Sequence, residues 1–288
     1  MIYRMLALNI DGTLVDSGGK LHKSTKEAVQ YVQNKGIFVT LVTSRNYASA
    51  RKVAKALKMN GLFVSHQGAY IANAEDQPVY VKRINEDVTY EIARFLESFP
   101  CQIRLVHEKF SLANKLQLNN NLLAKAIFTS GDPLGYSHQF VTDLSDSLAD
   151  TPVAPPKIEA YFESQHDLED ARLAIGAMFT EVKAEQSEGF RLDIVPSGVS
   201  KLTGLLYLCD QLGISCREAV AIGDSVDDIP VIEAAGLGVA MGNAPYEVKR
   251  AADWVTRGVG DHGVAYMVKE HFRRQHPIAF LKKMNIIK

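Results

Sequence analysis

The chain opens on an apolar stretch that ends in polar groups. Tyr3-Arg4-Met5-Leu6-Ala7-Leu8 runs into Asn9-Ile10-Asp11-Gly12-Thr13-Leu14. A strand that releases two polar side chains, one position apart, into a glycine turn builds a site at its carboxyl end. Ser24 to Lys35 has helical spacing, and Gly36 stops it. Ile37 to Val42 is a continuous apolar run rich in β-branched residues, as in a parallel strand covered on both faces. It ends at Thr43-Ser44-Arg45; residues 47–58 then make a helix and Leu62 to Ser65 a third strand. Strand, helix, strand, helix with short connections predicts a doubly wound, Rossmann-like α/β core with a parallel sheet.

The rhythm changes near residue 85. A helix over 86–98, a strand from Gln102 to His107, the alternating Lys157-Ile158-Glu159-Ala160-Tyr161-Phe162, a helix over 167–179 and strands over 181–185 and 190–195 read as an α+β mixture. The first rhythm then resumes with a helix over 201–212, a strand Ala219 to Ile222, a helix over 228–235, a strand Leu237 to Ala240 and a helix over 245–250. The expected organisation is a core domain of residues 1–84 and 195–288 carrying an inserted α+β cap domain over 85–194.

Composition narrows the class. The 288 residues, 47% apolar and 23% charged, suffice for a large core and exclude broad disorder. A formal charge of -1 gives no general nucleic-acid surface, and the dispersed basic residues Arg273, Arg274, Lys282, Lys283 and Lys288 read as a solvated face. Arg4 and Asp11 interrupt the first apolar stretch before it could act as a signal peptide, and no apolar run has membrane-spanning length. Cys101, Cys209 and Cys216 form neither a disulfide framework nor a metal-ligand pattern and read as reduced thiols. The expectation is a cytoplasmic protein that engages neither membrane nor nucleic acid.

The chemistry gathers where the pattern puts polar groups after strands: Asn9 and Asp11, Thr43 and Ser44, Lys201 after the strand leading to Pro196, and Asp224, Asp227 and Asp228. In an open α/β sheet that edge binds ligands. Oxygens from Asp11 and Asp224, with no His or Cys among them, suit a hard divalent cation such as Mg²⁺. Thr43 and Ser44 offer hydroxyls and N–H groups at a helix start, a seat for phosphate oxygens, and Lys201 adds a positive charge. Singly, Asp11-Gly12 would be a turn, Asp224 or Thr43 a helix cap and Lys201 a solvated lysine; jointly they are the set needed for phosphoryl transfer.

The whole chain resembles the haloacid dehalogenase-like hydrolases, in particular the Cof-type phosphatases. Their Asp-x-Asp-Gly-Thr motif matches Asn9-Ile10-Asp11-Gly12-Thr13, their Thr or Ser motif matches Thr43-Ser44-Arg45, their lysine falls on Lys201 and their Gly-Asp-x-x-Asn-Asp on Gly223-Asp224-Ser225-Val226-Asp227-Asp228. Val239-Ala240-Met241-Gly242-Asn243-Ala244 and Gly263-Val264-Ala265 are also typical of that branch. The resemblance implies Mg²⁺-dependent hydrolysis of a small phosphorylated metabolite, such as a sugar phosphate or a cofactor phosphate. It implies a catalytic set of Asn9, Asp11, Thr43 and Lys201, with Asp11 as acid and base. Phosphate contacts fall on the amide of Ile10 and on Thr43, Ser44 and Lys201, with Asp227 and Asn243 at the mouth. The metal set is Asn9, the Asp11 carbonyl, Asp224 and Asp228.

Two departures stand out. Asn9 occupies the nucleophile's position with an uncharged amide, which cannot form the family's acyl phosphate. Asp227 replaces the usual Asn and should repel phosphate. Three readings stay open: a nucleophile replaced by design, a natural relative that binds a phosphorylated ligand without turnover, or an enzyme restored by hydrolysis of the Asn9 amide, which Ile10 makes slow. In the cap, His107, Lys109, His138 and His166 are the candidates to meet a ligand.

Overall fold

The computed structural model describes residues 2–115, 132, 135–187 and 189–287. They form two compact units, one of Met1–Ser44, Ala50–Val79 and Ser200–Lys288, the other of Arg45–Ser49 and Tyr80–Val199. In chain order the first elements are β1 (Met5–Leu8), α1 (Lys23–Asn34), β2 (Phe38–Leu41), α2 (Tyr47–Ala56), β3 (Phe63–Ser65), β4 (Tyr70–Ala72) and β5 (Pro78–Val81). There follow α3 (Glu86–Leu96), β6 (Cys101–Val106), β7 (Phe110–Asn114), β8 (Ser137–Val141), α4 (Leu144–Asp150), β9 (Lys157–Phe162), α5 (Gln165–Met178), β10 (Val182–Gln186) and β11 (Arg191–Pro196). The chain continues with α6 (Lys201–Leu212), β12 (Ala219–Gly223), α7 (Ile229–Ala234), β13 (Leu237–Ala240), α8 (Tyr246–Ala251), β14 (Trp254–Val255), α9 (Gly263–His271) and α10 (Ile278–Lys283).

The first unit is a Rossmann-like parallel sheet in the order β14-β13-β12-β1-β2. Its middle strands are apolar throughout because both faces are covered: every residue of β1 and of β12 is buried. The register levels the strand ends, with Leu8 paired to Ile222 on one side and Leu41 on the other. Residues 9, 42 and 223 therefore leave the sheet side by side. A smaller sheet, β3-β4-β5, follows, with β3 antiparallel to β4.

The long segment of the second unit, Tyr80–Val199, is the α+β part and carries a six-stranded sheet in the order β10-β11-β9-β6-β7-β8. This sheet is antiparallel except for the pair β7 and β8. Alternation divides its faces. Ile103, Leu105, Ile158, Ala160, Phe162, Leu192 and Ile194 join an apolar core with Ile92 and Leu96 of α3, Leu144 and Leu148 of α4 and Leu168 and Ile175 of α5. The alternate positions carry Arg104, Lys157, Glu159 and Asp193, all buried. Among the described residues no helix is long and apolar enough to cross a membrane.

The strand leading to Pro196 is β11 of the second unit's sheet, in keeping with its place in the α+β mixture, so the grouping of Lys201 with strand ends of the parallel core needs correction. Lys201 is thus no strand-end residue; it is the first residue of α6, behind the capping box of Ser200 and Thr203.

Candidate active site

Three neighbouring strand ends and the start of α6 build the site, all within the first unit. The chain leaves β1 at Asn9, whose N–H still pairs with the Ile222 carbonyl at 3.0 Å. It then turns at Gly12, where φ is +64°. A Cβ at Gly12 would stand 1.9 Å from Asp224 Oδ2, so the glycine provides both the left-handed turn and the space in which the Asp224 carboxylate lies. Thr13 Oγ1 donates to Asp224 Oδ1 at 2.8 Å. The structure brings Asn9 together with Asp224 and with the backbone carbonyl of Asp11.

Asn9 is buried, and its amide is committed at both ends. Nδ2 donates to Asp228 Oδ2 at 3.0 Å, to Asp224 Oδ1 at 3.3 Å and, most weakly, to the Asp11 carbonyl at 3.4 Å. Oδ1 accepts from the Ile10 N–H at 2.8 Å. Three acceptors around one end and a backbone donor at the other fix the orientation of the amide. Ile10, expected to turn its N–H to phosphate, gives it to Asn9 instead. The expected cation would need the opposite arrangement: Asn9 would have to present Oδ1 to the metal, which sets its NH₂ against the Ile10 N–H. The oxygens that should ligate Mg²⁺ instead accept hydrogen bonds from an NH₂ group. Among the described residues no cluster of three His, Cys, Asp or Glu is placed to hold a metal ion. With the Asn9 amide in this orientation, its NH₂ toward Asp224 and Asp228 and its oxygen on the Ile10 N–H, the set does not fit Mg²⁺.

The phosphate side has a similar occupant. Lys201, fully buried at the head of α6, donates from Nζ to Asp228 Oδ1 at 2.7 Å and to Asp227 Oδ1 at 3.0 Å. Ser44 Oγ donates to Asp227 Oδ2 at 2.7 Å. The carboxylate of Asp227 thus takes hydrogen bonds from two of the groups expected at phosphate. Burial opposes its charge, but the Lys201 ammonium and the hydroxyls of Ser225 and Ser44 hold it well below the usual carboxylate range. Burial likewise opposes the charge on Lys201, and Asp227 and Asp228 keep it protonated far above the ordinary lysine value. Asp228 is a brace as well as an ion-pair partner, since its Oδ2 accepts from the N–H groups of Asp224 and Ser225 at 3.0 and 3.1 Å. Asp224 is the contrasting carboxyl: burial first, and the charge of Asp228 second, push it up to about 7.

Thr43 is buried after β2, with its N–H on the Val64 carbonyl and its carbonyl accepting from Gln67 N–H, both at 3.1 Å. Asn243 joins two loops, donating to the Gly12 carbonyl and accepting from Val259 N–H, each at 2.9 Å. The Asp11 side chain is exposed. Sequence reasoning missed the turn His66-Gln67-Gly68, where φ is +47°, +58° and +109°. Gly68 lies so close to α6 that a Cβ would stand 2.1 Å from the Ser200 carbonyl, which ties the loop beneath Thr43 to the cap of the Lys201 helix. The glycine three residues after the end of a short strand was the available signal.

Of the candidates in the second unit, His138 meets Ser111 Oγ at 2.8 Å and stands 3.6 Å from Asp132. Asp132 pairs in turn with buried Arg104 at 2.5 Å. His107 stacks on Phe110 with ring centroids 4.6 Å apart. Lys109 is exposed. His166 is exposed on α5, 3.3 Å from Asp170.

Comparison with known proteins identifies the family. Residues 6–268 match the haloacid dehalogenase-like hydrolase family. The stress response protein YhaX of Bacillus subtilis (strain 168) is 50% identical over 287 residues, 99% of either chain. The 5-amino-6-(5-phospho-D-ribitylamino)uracil phosphatase YitU of that organism is 26% identical over 288 residues, covering 93% of this chain and 97% of its own. The crystal structure of a haloacid dehalogenase-like hydrolase from Bacteroides thetaiotaomicron superposes with a TM-score of 0.81 at 26% identity, over 93% of this chain and 99% of that one. The chain belongs to the haloacid dehalogenase-like hydrolases, in their Cof-type phosphatase branch.

Proposed function

We propose that this haloacid dehalogenase-like protein binds a small phosphorylated metabolite at the carboxyl ends of β1, β2 and β12 and does not turn it over at a phosphatase's rate. The observation that carries the reading is the Asn9 amide: its NH₂ satisfies Asp224, Asp228 and the Asp11 carbonyl. Its uncharged oxygen has no electron pair basic enough to open a phosphoester covalently. What the site keeps is recognition. Lys201 is held charged, and Ser44 and Thr43 stand after β2; a phosphate dianion competes with Asp227 for the lysine and the serine hydroxyl. The inserted unit, expected over 85–194, is the part to which we assign choice among phosphorylated ligands in the cytoplasm.

A second reading, the Mg²⁺-dependent phosphomonoester hydrolase, is supported by Asp11, Lys201 and Asp224 at the family's spacing and by a relative named as a phosphatase. There Asp11 would pass a proton to the leaving oxygen, and catalysis would require a carboxylate at position 9. Calorimetric titration with sugar phosphates, flavin mononucleotide and pyridoxal phosphate, beside phosphate release from the same compounds, separates the two. The binding reading expects heat of binding that Lys201→Ala abolishes and no sustained release. Rapid release by the chain as it stands would establish the hydrolase, and failure of every phosphorylated compound to bind would overturn both.

A further inference from the structure

The geometry points to a redox modification site at the far end of α6: we propose that Cys209 and Cys216 close into a reversible intrachain disulfide when a hydroperoxide reaches the protein. The backbone brings them together. α6 ends at Gly213 in the left-handed conformation, with φ +58°. Gly213 N–H bonds the Asp210 carbonyl at 3.1 Å and Ile214 N–H bonds the Cys209 carbonyl at 2.9 Å, the paired bonds of a Schellman ending that turn the chain back over its helix. Ser215 and Glu218 form a capping box on the next short turn, and the Cys216 carbonyl accepts from Gly236 N–H at 3.0 Å. With both backbones held, Cys216 Sγ lies 3.0 Å from Cys209 Sγ and donates its S–H to it. A closing movement of about 1 Å reaches disulfide bonding distance.

The two thiols differ in access, which orders the steps. Cys209 is buried and Cys216 only partly so, so the peroxide meets Cys216 first. Cys216 gives up its S–H proton and its sulfur attacks one oxygen of hydrogen peroxide; an S–O bond forms, the O–O bond breaks and the departing hydroxide takes that proton as water. The Cys209 sulfur then attacks the Cys216 sulfenic acid; the S–S bond forms, the S–O bond breaks and the departing hydroxide takes the Cys209 proton as water. Two thiols are oxidised and one hydroperoxide is reduced. Cys101 is an internal control, since it is buried in the second unit with its S–H on the Leu96 carbonyl at 3.3 Å. Burial pushes that thiol up to about 12. The proposal is independent of the phosphate reading, because Lys201 occupies the opposite end of α6.

Graded exposure of the intact protein to hydrogen peroxide, followed by alkylation and non-reducing peptide mapping, tests it. The expected result is a linked Cys209–Cys216 peptide lighter by two hydrogen atoms, reversed by dithiothreitol, while Cys101 stays reduced. In Cys209→Ser a dimedone-type probe should trap sulfenic acid at Cys216. The map of the unmodified chain decides alone should that variant fold poorly. Recovery of both thiols unlinked after peroxide treatment, conversion of Cys216 to sulfinic acid without the link, or a bridge between two chains would overturn the proposal.

Discussion

At the scale of single residues, two substitutions fill with protein atoms what a phosphatase would leave for its ligands. The NH₂ of Asn9 faces the oxygens of the expected cation site, and the carboxylate of Asp227 faces the donors of the expected phosphate site. Asn9→Asp should reverse the first, restoring an attacking oxygen and a negative ligand together. Phosphate release from the best-bound ligand at saturating Mg²⁺ is expected to rise at least ~10³-fold, as loss of a covalent nucleophile costs several orders of magnitude. Calorimetry should also detect Mg²⁺ binding in the variant that the parent lacks; equal rates and equal binding in the two forms would remove position 9 from the argument. Asp224 gives a separate test by pH. Its carboxyl is raised from 3.8 to about 7, so between those values the folded chain binds a proton that the unfolded chain has released. The stability this contributes is complete below the unfolded value and is lost as pH rises through the folded one. In chelator, the parent should lose melting temperature relative to Asp224→Asn between about pH 4 and about pH 8. A difference that is constant across that range would contradict the raised carboxyl.

Elements were legible where one local signal decides them. α6 has the bounds the pattern gives because Ser200 caps it and Gly213 ends it; β9 and β13 follow apolar spacing alone. The hairpin strands β4 and β5 carried no such signal: one has three residues, and the other is mostly exposed along its length. β7 and β8 form by pairing across residues 115–136, which no local period encodes. The site divides in the same way. The spacing of Asn9, Asp11 and Asp224 announced their convergence, whereas the partners Asn9 and Asp227 select are set by side chains brought from distant elements. The alternation of Lys157-Ile158-Glu159-Ala160-Tyr161-Phe162 gave the strand but not the condition of its polar face. That face is buried, with Lys157 Nζ 3.0 Å from Glu159 and 3.1 Å from Asp193, and Arg104 3.4 Å from Glu159 on the neighbouring strand. A buried pair loses more when one partner goes than the intact pair contributes, because the other charge is left desolvated. Lys157→Ala should therefore lower stability by about 3 kcal/mol, read as a shift of the urea midpoint with the slope unchanged. A loss below about 1 kcal/mol, the range of exposed pairs, would mean that the row is solvated.

On the scale of the molecule, the chain is one parallel α/β unit interrupted by a second unit with its own core. The first unit's sheet is completed by strands from both sides of the interruption: β1 lies between β2, before it, and β12, after it. The candidate site has the same dual origin, with Asn9 and Ser44 from one side and Lys201 and Asp224 from the other. The two passages of chain run close together, since Lys82 Nζ donates to the Ser197 carbonyl at 2.7 Å and Tyr207 hydroxyl to the Val79 carbonyl at 3.0 Å. A short connection can therefore replace the insertion without stretching the sheet, as insertions tolerate when their ends are near. With residues 82–198 exchanged for a Gly/Ser link, the remaining chain should fold cooperatively, because β1, β12 and β13 keep the apolar neighbours that bury them. Circular dichroism should give one sharp urea transition. Inorganic phosphate should raise the midpoint of that transition by mass action, and Lys201→Ala in the same shortened chain should remove the increment. A broad, non-cooperative transition would mean that the first unit depends on the second for its core. A sharp transition that phosphate leaves unmoved would place the binding determinants in the inserted unit.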